Sequence, residues 1–196
     1  MSISPHAQYN RCLSDKLAYT VDPEIEPAML SAMLTSVRKK HPYPGRINIG
    51  DGTTGVVPDV RKSKIHILPL DHWIAGILHN LFISANNDYF HYDLDHFDSG
   101  IQTSYYTTGD HYTWHSDGLD NTTPRGYERK LSMSFLLTDD YKGGELELEF
   151  KPNKYSYKPK AGSTVIFPSW MPHRVKPVKS GERISLVAWM NGPKFK

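Results

Sequence analysis

The sequence predicts an α+β protein that is mainly β, with an antiparallel sandwich or barrel braced by two helices. Two stretches before residue 85 have the apolar periodicity of helices. After Asn87 the pattern changes to short apolar and aromatic runs separated by Gly, Asp, Asn and Pro, which is typical of strands joined by turns. A length of 196 residues fits a single domain.

The composition excludes several classes of protein. The chain has 23 Lys and Arg against 21 Asp and Glu, so its charge does not favour a nucleic-acid partner. One cysteine, Cys12, excludes an internal disulfide framework and a Cys-rich zinc module. There is no signal-peptide pattern at the N-terminus and no run of about 18 apolar residues. We therefore expect a cytoplasmic protein with no membrane-spanning segment, and the sequence leaves its oligomeric state open.

The first helix is predicted to start at Asp22 and Pro23, because aspartate can cap a helix and proline suits its first position. Arg38–Lys40 suits the last turn of this helix, and Pro42 ends it. An apolar residue recurs at every fourth position and forms a stripe that we assign to the core: Ile25, Met29, Met33 and Val37.

Residues 41–60 are rich in Gly and Pro and include the run Gly50–Gly55. This run lacks the Lys-Ser/Thr of a phosphate-binding loop, so we interpret the segment as a mobile loop that could close over a site. A second helix is predicted from about Leu70 to Ser84, with Asp71 near its start. Its predicted buried face consists of Trp73, Ile74, Ile77, Leu78, Leu81 and Phe82.

About eight strands are predicted in the second half of the chain, with turn residues between them. They are Tyr89–Leu94, Ile101–Thr107, Tyr112–Asp117, Lys130–Thr138, Glu145–Lys151, Ser163–Pro168, Arg174–Val178 and Arg183–Met190.

The motif His115-Ser116-Asp117 is the first candidate for chemistry. Residues two apart in a strand point to the same face, so His115 and Asp117 project together. A third ligand must come from a neighbouring strand, and His173 qualifies. Two histidines and one carboxylate on one face of a metal leave open positions, as in non-haem Fe(II) oxygenases. The His-x-Asp pattern alone is weak evidence, because a structural histidine in a strand is the common alternative.

Arg183 opens the last predicted strand, ten residues after His173. Arg183 and Ser185 share one face of this strand, whereas Ile184 occupies the other. A guanidinium and a hydroxyl placed in this way could hold the far carboxylate of a dicarboxylic acid whose other end reaches the metal. An arginine exposed at a strand end is the alternative.

The order of these residues resembles the 2-oxoglutarate- and Fe(II)-dependent dioxygenases, and the context resembles their prolyl 4-hydroxylase-like branch, including the PKHD-type hydroxylases of bacteria. The resemblance covers about residues 60–192. Supporting stretches are Arg61–Ile65, Ala85–Asn86, Phe90–Leu94, Ile101–Tyr105, Gly109–Asp117, Gly143–Leu146 and Pro172–Val175.

The resemblance implies a double-stranded β-helix, or jelly roll, with iron between its two sheets. It further implies that the metal ligands and catalytic residues are His115, Asp117 and His173. Arg183 matches the residue that binds the 2-oxoglutarate C5 carboxylate, and Tyr105 and Ser185 match residues of the co-substrate pocket. Ser134–Leu137 stands where prolyl hydroxylases often carry a second pocket tyrosine, which leaves the remaining contacts open.

The implied reaction is hydroxylation of a C–H bond with release of succinate and CO2, using Fe(II), 2-oxoglutarate and O2, with ascorbate as a stimulant. The first candidate substrate is a protein side chain such as proline, and the second is a small free metabolite. Nucleobase repair ranks third, because Arg183 is followed by Ser185, Val187 and Trp189, without the second arginine of the repair enzymes.

Two alternatives lie outside this class. One is a non-catalytic jelly-roll binding or structural module, which would leave the three ligands and Arg183 as coincidence. The other is a cupin-type metal-dependent isomerase or hydrolase, which would be indifferent to 2-oxoglutarate and O2. For the dioxygenase, we expect an N-terminal helical and loop extension over residues 1–60, packed on a double-stranded β-helix core of residues 61–196 within a single domain.

Overall fold

The computed structural model describes residues 18–22, 25–50, 53–118 and 126–194. Cys12, Pro23 and the middle of the Gly50–Gly55 run lie outside these ranges. The helices are α1, Pro27–Arg38, and α2, Ile74–Ala85, followed by a π-helical turn, Asn86–Phe90. Neither helix, in the part of the chain that the structure describes, has the length and apolarity needed to cross a membrane.

The strands are β1 Tyr19–Val21, β2 Tyr43–Pro44, β3 Ile47–Gly50, β4 Thr53–Gly55, β5 Arg61–Lys62, β6 Lys64–Leu68, β7 His96–Phe97, β8 Ile101–Tyr106, β9 His111–His115, β10 Tyr127–Leu136, β11 Tyr141–Gly143, β12 Leu146–Phe150, β13 Asn153–Tyr157, β14 Thr164–Pro168, β15 His173–Val175, β16 Val178–Gly181 and β17 Arg183–Pro193.

Two antiparallel sheets form the body of the molecule. The large sheet has the order β1-β14-β10-β17-β8-β6-β2, with β7 also paired to β17, and the small sheet has the order β13-β12-β15-β9-β5. From β8 onward, the strands of these two sheets alternate between them along the chain, apart from the hairpin β12–β13, while β11 and β16 form a separate two-stranded sheet. This is the arrangement of a double-stranded β-helix, so the predicted mainly β fold with supporting helices is confirmed.

The large sheet has two different faces. Its outer face forms the main hydrophobic core with α1 and α2, where Met33, Leu78 and Phe82 are fully buried. Its inner face looks toward the small sheet across a second, smaller apolar cluster that includes Leu148 and Phe167. The chain before residue 61 contributes strands β1 and β2 to the same sheet, as well as helix α1.

Helix α1 begins later than predicted. The chain forms strand β1 up to Val21, and the helix starts at Pro27, where a second proline provides the same favourable first position as Pro23. Met33 and Val37 are buried as predicted, but Met29 is 43% exposed. In α2, Ile74, Leu78 and Phe82 of the predicted face are buried and Ile77 and Leu81 are partly buried, whereas Trp73 precedes the helix and is exposed.

The predicted strand Tyr89–Leu94 is wrong. Helix α2 instead continues into the π-helical turn, which ends at His91 in a left-handed conformation (φ 55°). The side chain of Asn86 then fixes the irregular chain that follows, because it both donates to the carbonyl and accepts from the N–H of Tyr92 at 2.9 Å. Residues 41–60, predicted as a loop, contain β2 and the hairpin β3–β4.

Candidate metal centre

Three side chains converge between the two sheets. The candidate ligand atoms of His115, Asp117 and His173 all lie within 4.8 Å of one another. His115 Nε2 is 3.8 Å from Asp117 Oδ1, and His173 Nε2 is 3.4 Å from Asp117 Oδ2. His115 and His173 are directly opposite each other on the paired strands β9 and β15, so the sheet register itself brings the two imidazoles together.

Each imidazole is held by the main-chain carbonyl of the residue two positions earlier in the sequence. The Nδ1 atom of His115 lies 2.8 Å from the carbonyl oxygen of Thr113, and that of His173 lies 2.9 Å from the carbonyl oxygen of Met171. A carbonyl can only accept, so Nδ1 carries the proton in both rings. In a neutral ring with this hydrogen bond, Nε2 carries the lone pair and faces Asp117, which is the tautomer that a metal ligand requires.

Asp117 lies just beyond the end of β9 rather than within the strand as predicted. Its N–H donates to the carbonyl of Ser169 at 2.9 Å. Its Oδ2 accepts two hydrogen bonds, from Ser132 Oγ at 2.9 Å and from Trp189 Nε1 at 2.8 Å. Ser132 and Trp189 face each other on β10 and β17, so two strands of the large sheet orient a ligand that is attached to the small sheet.

Sequence reasoning missed Ser132 and Trp189. A usable signal existed for Trp189, because it continues the alternation that begins with Arg183 and Ser185 and therefore points inward. No comparable signal marked Ser132, since its role depends on the register between β10 and β17.

The ionisation of the site suits a metal ion. Burial, reinforced by the neighbouring His173, lowers the pKa of His115 to about 3 despite the opposing charge of Asp117. Burial alone would raise the pKa of Asp117, but His173, His115 and the Trp189 hydrogen bond outweigh it and lower that pKa to about 2. At neutral pH, His115 is thus a neutral imidazole beside a carboxylate. This His/Asp/His donor set fits a divalent transition metal with positions left open.

A β-bulge adds Tyr112 to the site. His173 pairs with His115 but Val175 pairs with Tyr112, so β9 carries one extra residue at this point. Tyr112 and His115 consequently share a face although they are three residues apart, and their rings stack with centroids 3.5 Å apart. Burial raises the pKa of Tyr112 to about 12, so its hydroxyl stays protonated. Simple alternation along the strand would have placed Tyr112 on the other face.

Arg183 provides the second half of the site. Its side chain is only 4% exposed, and its Nη1 donates to Ser185 Oγ at 2.7 Å. Its Nη2 lies 3.4 Å from Ser134 Oγ, whereas its buried Nε has no hydrogen-bond partner among the described residues. A buried guanidinium with an unused donor and adjacent hydroxyls fits the carboxylate of a bound acid. The structure therefore brings Arg183 and Ser185 together as predicted.

Tyr105 does not join them. Its ring belongs to the core under α1, and its hydroxyl donates to the carbonyl oxygen of Val37 at 2.9 Å. The register of β8 and β17 places Tyr106, not Tyr105, opposite Arg183, and the Tyr106 ring lies 5.6 Å from the guanidinium carbon. The assignment of Tyr105 to the co-substrate pocket is corrected accordingly, because adjacent residues of a strand face opposite ways.

One cavity of about 360 Å³ connects these groups. The three candidate ligands line it together with Arg183 and Ser185, and Tyr106 and Tyr112 contribute further walls. The start of the β3–β4 hairpin also borders the cavity through Arg46 and Asn48. The candidate metal ligands and the buried guanidinium of Arg183 therefore line one and the same cavity.

Comparison with known proteins agrees with this geometry. Residues 101–191 match the family model described as the 2OG-Fe(II) oxygenase superfamily. A PKHD-type hydroxylase of Shewanella sp. strain ANA-3 is 38% identical over 153 residues, which is 72% of this chain and 65% of that protein. A PKHD-type hydroxylase of Shewanella sp. strain MR-4 matches over the same length, several matches to other bacterial PKHD-type hydroxylases are shorter, and the chain spans between 36% and 65% of the length of such relatives.

Solved structures share the fold. A prolyl-4-hydroxylase from Pseudomonas putida superposes with a TM-score of 0.71 at 20% identity, covering 93% of this chain and 96% of that one. A prolyl hydroxylase from Trichoplax adhaerens, solved in complex with a peptide fragment of hypoxia inducible factor, gives a TM-score of 0.70 at 17% identity, covering 91% and 84%.

The fold and the site together support an Fe(II)- and 2-oxoglutarate-dependent oxygenase core, and residues 101–191 of the chain match the 2OG-Fe(II) oxygenase superfamily. The relatives that the chain resembles are PKHD-type hydroxylases, and the solved structures that share its fold include prolyl hydroxylases. The superfamily implies Fe(II), 2-oxoglutarate and O2 as cofactor and co-substrates, and the donor set of His115, Asp117 and His173 fits that iron.

Proposed function

We propose that this protein is an Fe(II)- and 2-oxoglutarate-dependent hydroxylase that acts on a protein side chain, with a prolyl residue as the first candidate, and releases succinate and CO2. The observation that carries the proposal is the presence of two complementary sites in one cavity. One site is the cluster of metal donors formed by His115, Asp117 and His173. The other is the buried guanidinium of Arg183, which suits a carboxylate.

The residues are assigned the following roles. His115, Asp117 and His173 would hold Fe(II) on one face, leaving the remaining positions for 2-oxoglutarate and O2. Arg183 would bind the C5 carboxylate, with Ser185 fixing the guanidinium through the 2.7 Å hydrogen bond between them. Bound iron, 2-oxoglutarate and O2 supply the oxidising chemistry that replaces a C–H hydrogen with a hydroxyl group.

The protein's own contribution is positioning. Ser132 and Trp189 hold Oδ2 of Asp117, and the two backbone carbonyls hold the imidazoles, so the donors are oriented before any metal arrives. The stacked ring of Tyr112 covers one side of His115 and limits the access of water to that ligand.

The peptide substrate is supported by analogy. The Trichoplax adhaerens enzyme that shares this fold was solved with a peptide fragment, and the Pseudomonas putida neighbour is a prolyl-4-hydroxylase. Arg46 and Asn48, at the start of the β3–β4 hairpin, line the cavity and offer polar groups that a bound peptide would contact.

The reaction class is tested by measuring succinate formed from 2-oxoglutarate with Fe(II) and ascorbate, in air and without O2. We expect succinate only when iron and O2 are both present, and none from His173→Ala. His111→Ala is the matched control, because His111 lies on β9 but does not line the cavity. Equal succinate with and without O2, or equal loss in both variants, would contradict the assignment.

The substrate is tested with a library of proline-containing peptides, analysed by mass spectrometry. We expect one or more peptides to gain a single oxygen atom on proline and to raise succinate formation in the same proportion. Oxygen added only to other residues would replace proline as the substrate while leaving the reaction class intact.

A further inference from the structure

Arg61 is a second buried guanidinium in the same cavity. It opens strand β5 at the edge of the small sheet, next to Tyr112, and is only 6% exposed. Its side chain lines the cavity with the metal ligands and Arg183. The role proposed for Arg183 does not involve Arg61, so this second cation requires an explanation of its own.

Among the residues that the structure describes, no anionic partner contacts the guanidinium of Arg61. Its Nε donates to Ser63 Oγ at 2.9 Å, its Nη1 lies 3.4 Å from the carbonyl oxygen of Arg46, and its Cζ is 4.7 Å from the centre of the Tyr112 ring. Its Nη2 is buried and has no hydrogen-bond partner among the described residues. None of these contacts is a carboxylate.

Three other arginines of the described chain pair with carboxylates instead. Arg129 pairs with Asp98 at 2.6 Å, Arg174 with Glu147 at 2.7 Å, and Arg38 with Glu182 at 2.9 Å. Arg61 and Arg183 share burial in the cavity, a hydroxyl partner two residues along the strand and an unused donor nitrogen. Burial of a cation without an anion is costly, so such an arrangement favours an acid that arrives from outside.

The backbone is built to leave room for this guanidinium. A Cβ added to Gly45 would stand 2.7 Å from Arg61 Nε and 2.8 Å from Ser63 Oγ, closer than such atoms can approach. The N–H of Gly45 also donates to the carbonyl of Ser63 at 2.8 Å, which ties this stretch to Arg61 and its neighbours. Gly45 therefore allows the main chain to pass directly against the side chain that it positions.

We propose that Arg61 binds a carboxylate of the primary substrate, so that the substrate of this hydroxylase is an acid. The inference rests on the proposed function, in which Arg183 and the metal take 2-oxoglutarate. Because Arg61 lies against Tyr112, and Tyr112 stacks on His115, the carboxylate would sit close to the carbon that is hydroxylated. It could be the free carboxyl of a small acid or chain end, or the side chain of an acidic residue next to the target.

Two matched pairs of probes distinguish these sources. N-acetyl-L-proline and its amide differ only in a terminal carboxylate, and acetyl-Pro-Glu-amide and acetyl-Pro-Gln-amide differ only in a side-chain carboxylate. Each probe is titrated by calorimetry into protein loaded anaerobically with Fe(II) and 2-oxoglutarate. In one pair we expect the charged member to bind about tenfold or more tightly than the neutral one, as for a hydrogen bond to a charged group.

The preference is then measured in Arg61→Gln, Arg61→Lys and the remote control Arg38→Gln. We expect the affinity ratio of charged to neutral probe to fall below about twofold in Arg61→Gln, to be partly kept in Arg61→Lys, and to be unchanged in Arg38→Gln. Gly45→Ala, which retains Arg61 in the sequence but displaces its side chain, should also weaken binding of the charged probe. This variant keeps the test decisive if Arg61→Gln does not fold.

Three results would overturn the inference: no charge preference in either pair, a preference that survives Arg61→Gln, or a loss of 2-oxoglutarate affinity in Arg61→Gln as large as in Arg183→Ala. The last result would place Arg61 in the co-substrate site. If wild-type protein binds no 2-oxoglutarate at all, the proposed function itself fails, which is a different outcome from missing charge selectivity in a loaded enzyme.

Discussion

The two faces of the large sheet are built from alternate residues of the same strands, but they do different work. On the outer face, β8 and β17 present Tyr105, Ile184 and Leu186 to the core beneath the helices. On the inner face, the same strands present Tyr106, Arg183 and Ser185 to the cavity. The outer face is largely apolar and contributes stability, whereas the inner face is largely polar and carries the proposed chemistry.

This difference shows how one sheet separates folding from function. Because side chains alternate along a strand, one residue can pack in the core while its immediate neighbour faces the cavity. Substitutions on the inner face should therefore change ligand binding more than folding, and substitutions on the outer face should do the reverse.

The largest loss of activity is expected when a candidate metal ligand is substituted. His115→Ala removes one of three donors and should abolish iron-dependent succinate formation, while far-UV circular dichroism remains that of the wild type. Retained iron-dependent turnover would show that His115 is not a ligand.

Arg183→Ala tests the inner face of β17. We expect the affinity for 2-oxoglutarate to fall about ten- to a hundredfold, equivalent to roughly 1.5–3 kcal/mol, because a charge-assisted hydrogen bond to the C5 carboxylate is lost. Calorimetry with the Fe(II)-loaded protein under anaerobic conditions measures this directly. An unchanged affinity would remove Arg183 from the co-substrate site.

Trp189→Phe tests whether the large sheet orients Asp117. The substitution deletes the 2.8 Å hydrogen bond from the indole to Oδ2 but keeps an aromatic ring in place. We expect metal affinity to fall about tenfold, within the range seen when a hydrogen-bond partner of a metal ligand is removed. Competition with a metal chelator gives the affinity, and Trp114→Phe, outside the cavity lining, is the control that should leave it unchanged.

Tyr105→Phe should have the smallest effect of these substitutions, and it should lower stability rather than ligand binding. It removes the buried hydrogen bond to the Val37 carbonyl, so the free energy of unfolding should fall by about 1 kcal/mol. The 2-oxoglutarate affinity should stay within twofold of the wild type. A drop in affinity without a drop in stability would return Tyr105 to the pocket and break the division between the two faces.

Much of this architecture could be predicted from the sequence. Alternation in Arg183-Ile184-Ser185-Leu186 correctly assigned each residue to a face, and the spacing of His115, Asp117 and His173 indicated the donor set that the structure brings together. The assignments within one strand agree with the structure because they depend on the period of a strand, which is a local property. The position of His173 opposite His115 depends instead on the pairing of β9 with β15.

The sequence-based predictions were wrong where the regular geometry of a strand or helix was interrupted. The bulge in β9 turned Tyr112 to the cavity against simple alternation, and the π-helical turn after α2 replaced a predicted strand. Tyr105 was chosen over Tyr106 because a resemblance, not the register with Arg183, guided the assignment. The roles of Ser132 and Arg61 depend on strand pairing and on the close approach of Gly45, which only the fold shows.

The most direct test of the proposed site is an anaerobic titration of 2-oxoglutarate into Fe(II)-loaded protein, followed by the visible charge-transfer absorption that chelation of iron produces. We expect a saturable band in the wild type, a band that needs much more 2-oxoglutarate in Arg183→Ala, and no band in His115→Ala. A wild-type protein that shows no band would contradict the placement of iron and 2-oxoglutarate in this cavity. Variants whose titrations match that of the wild type would contradict it as well.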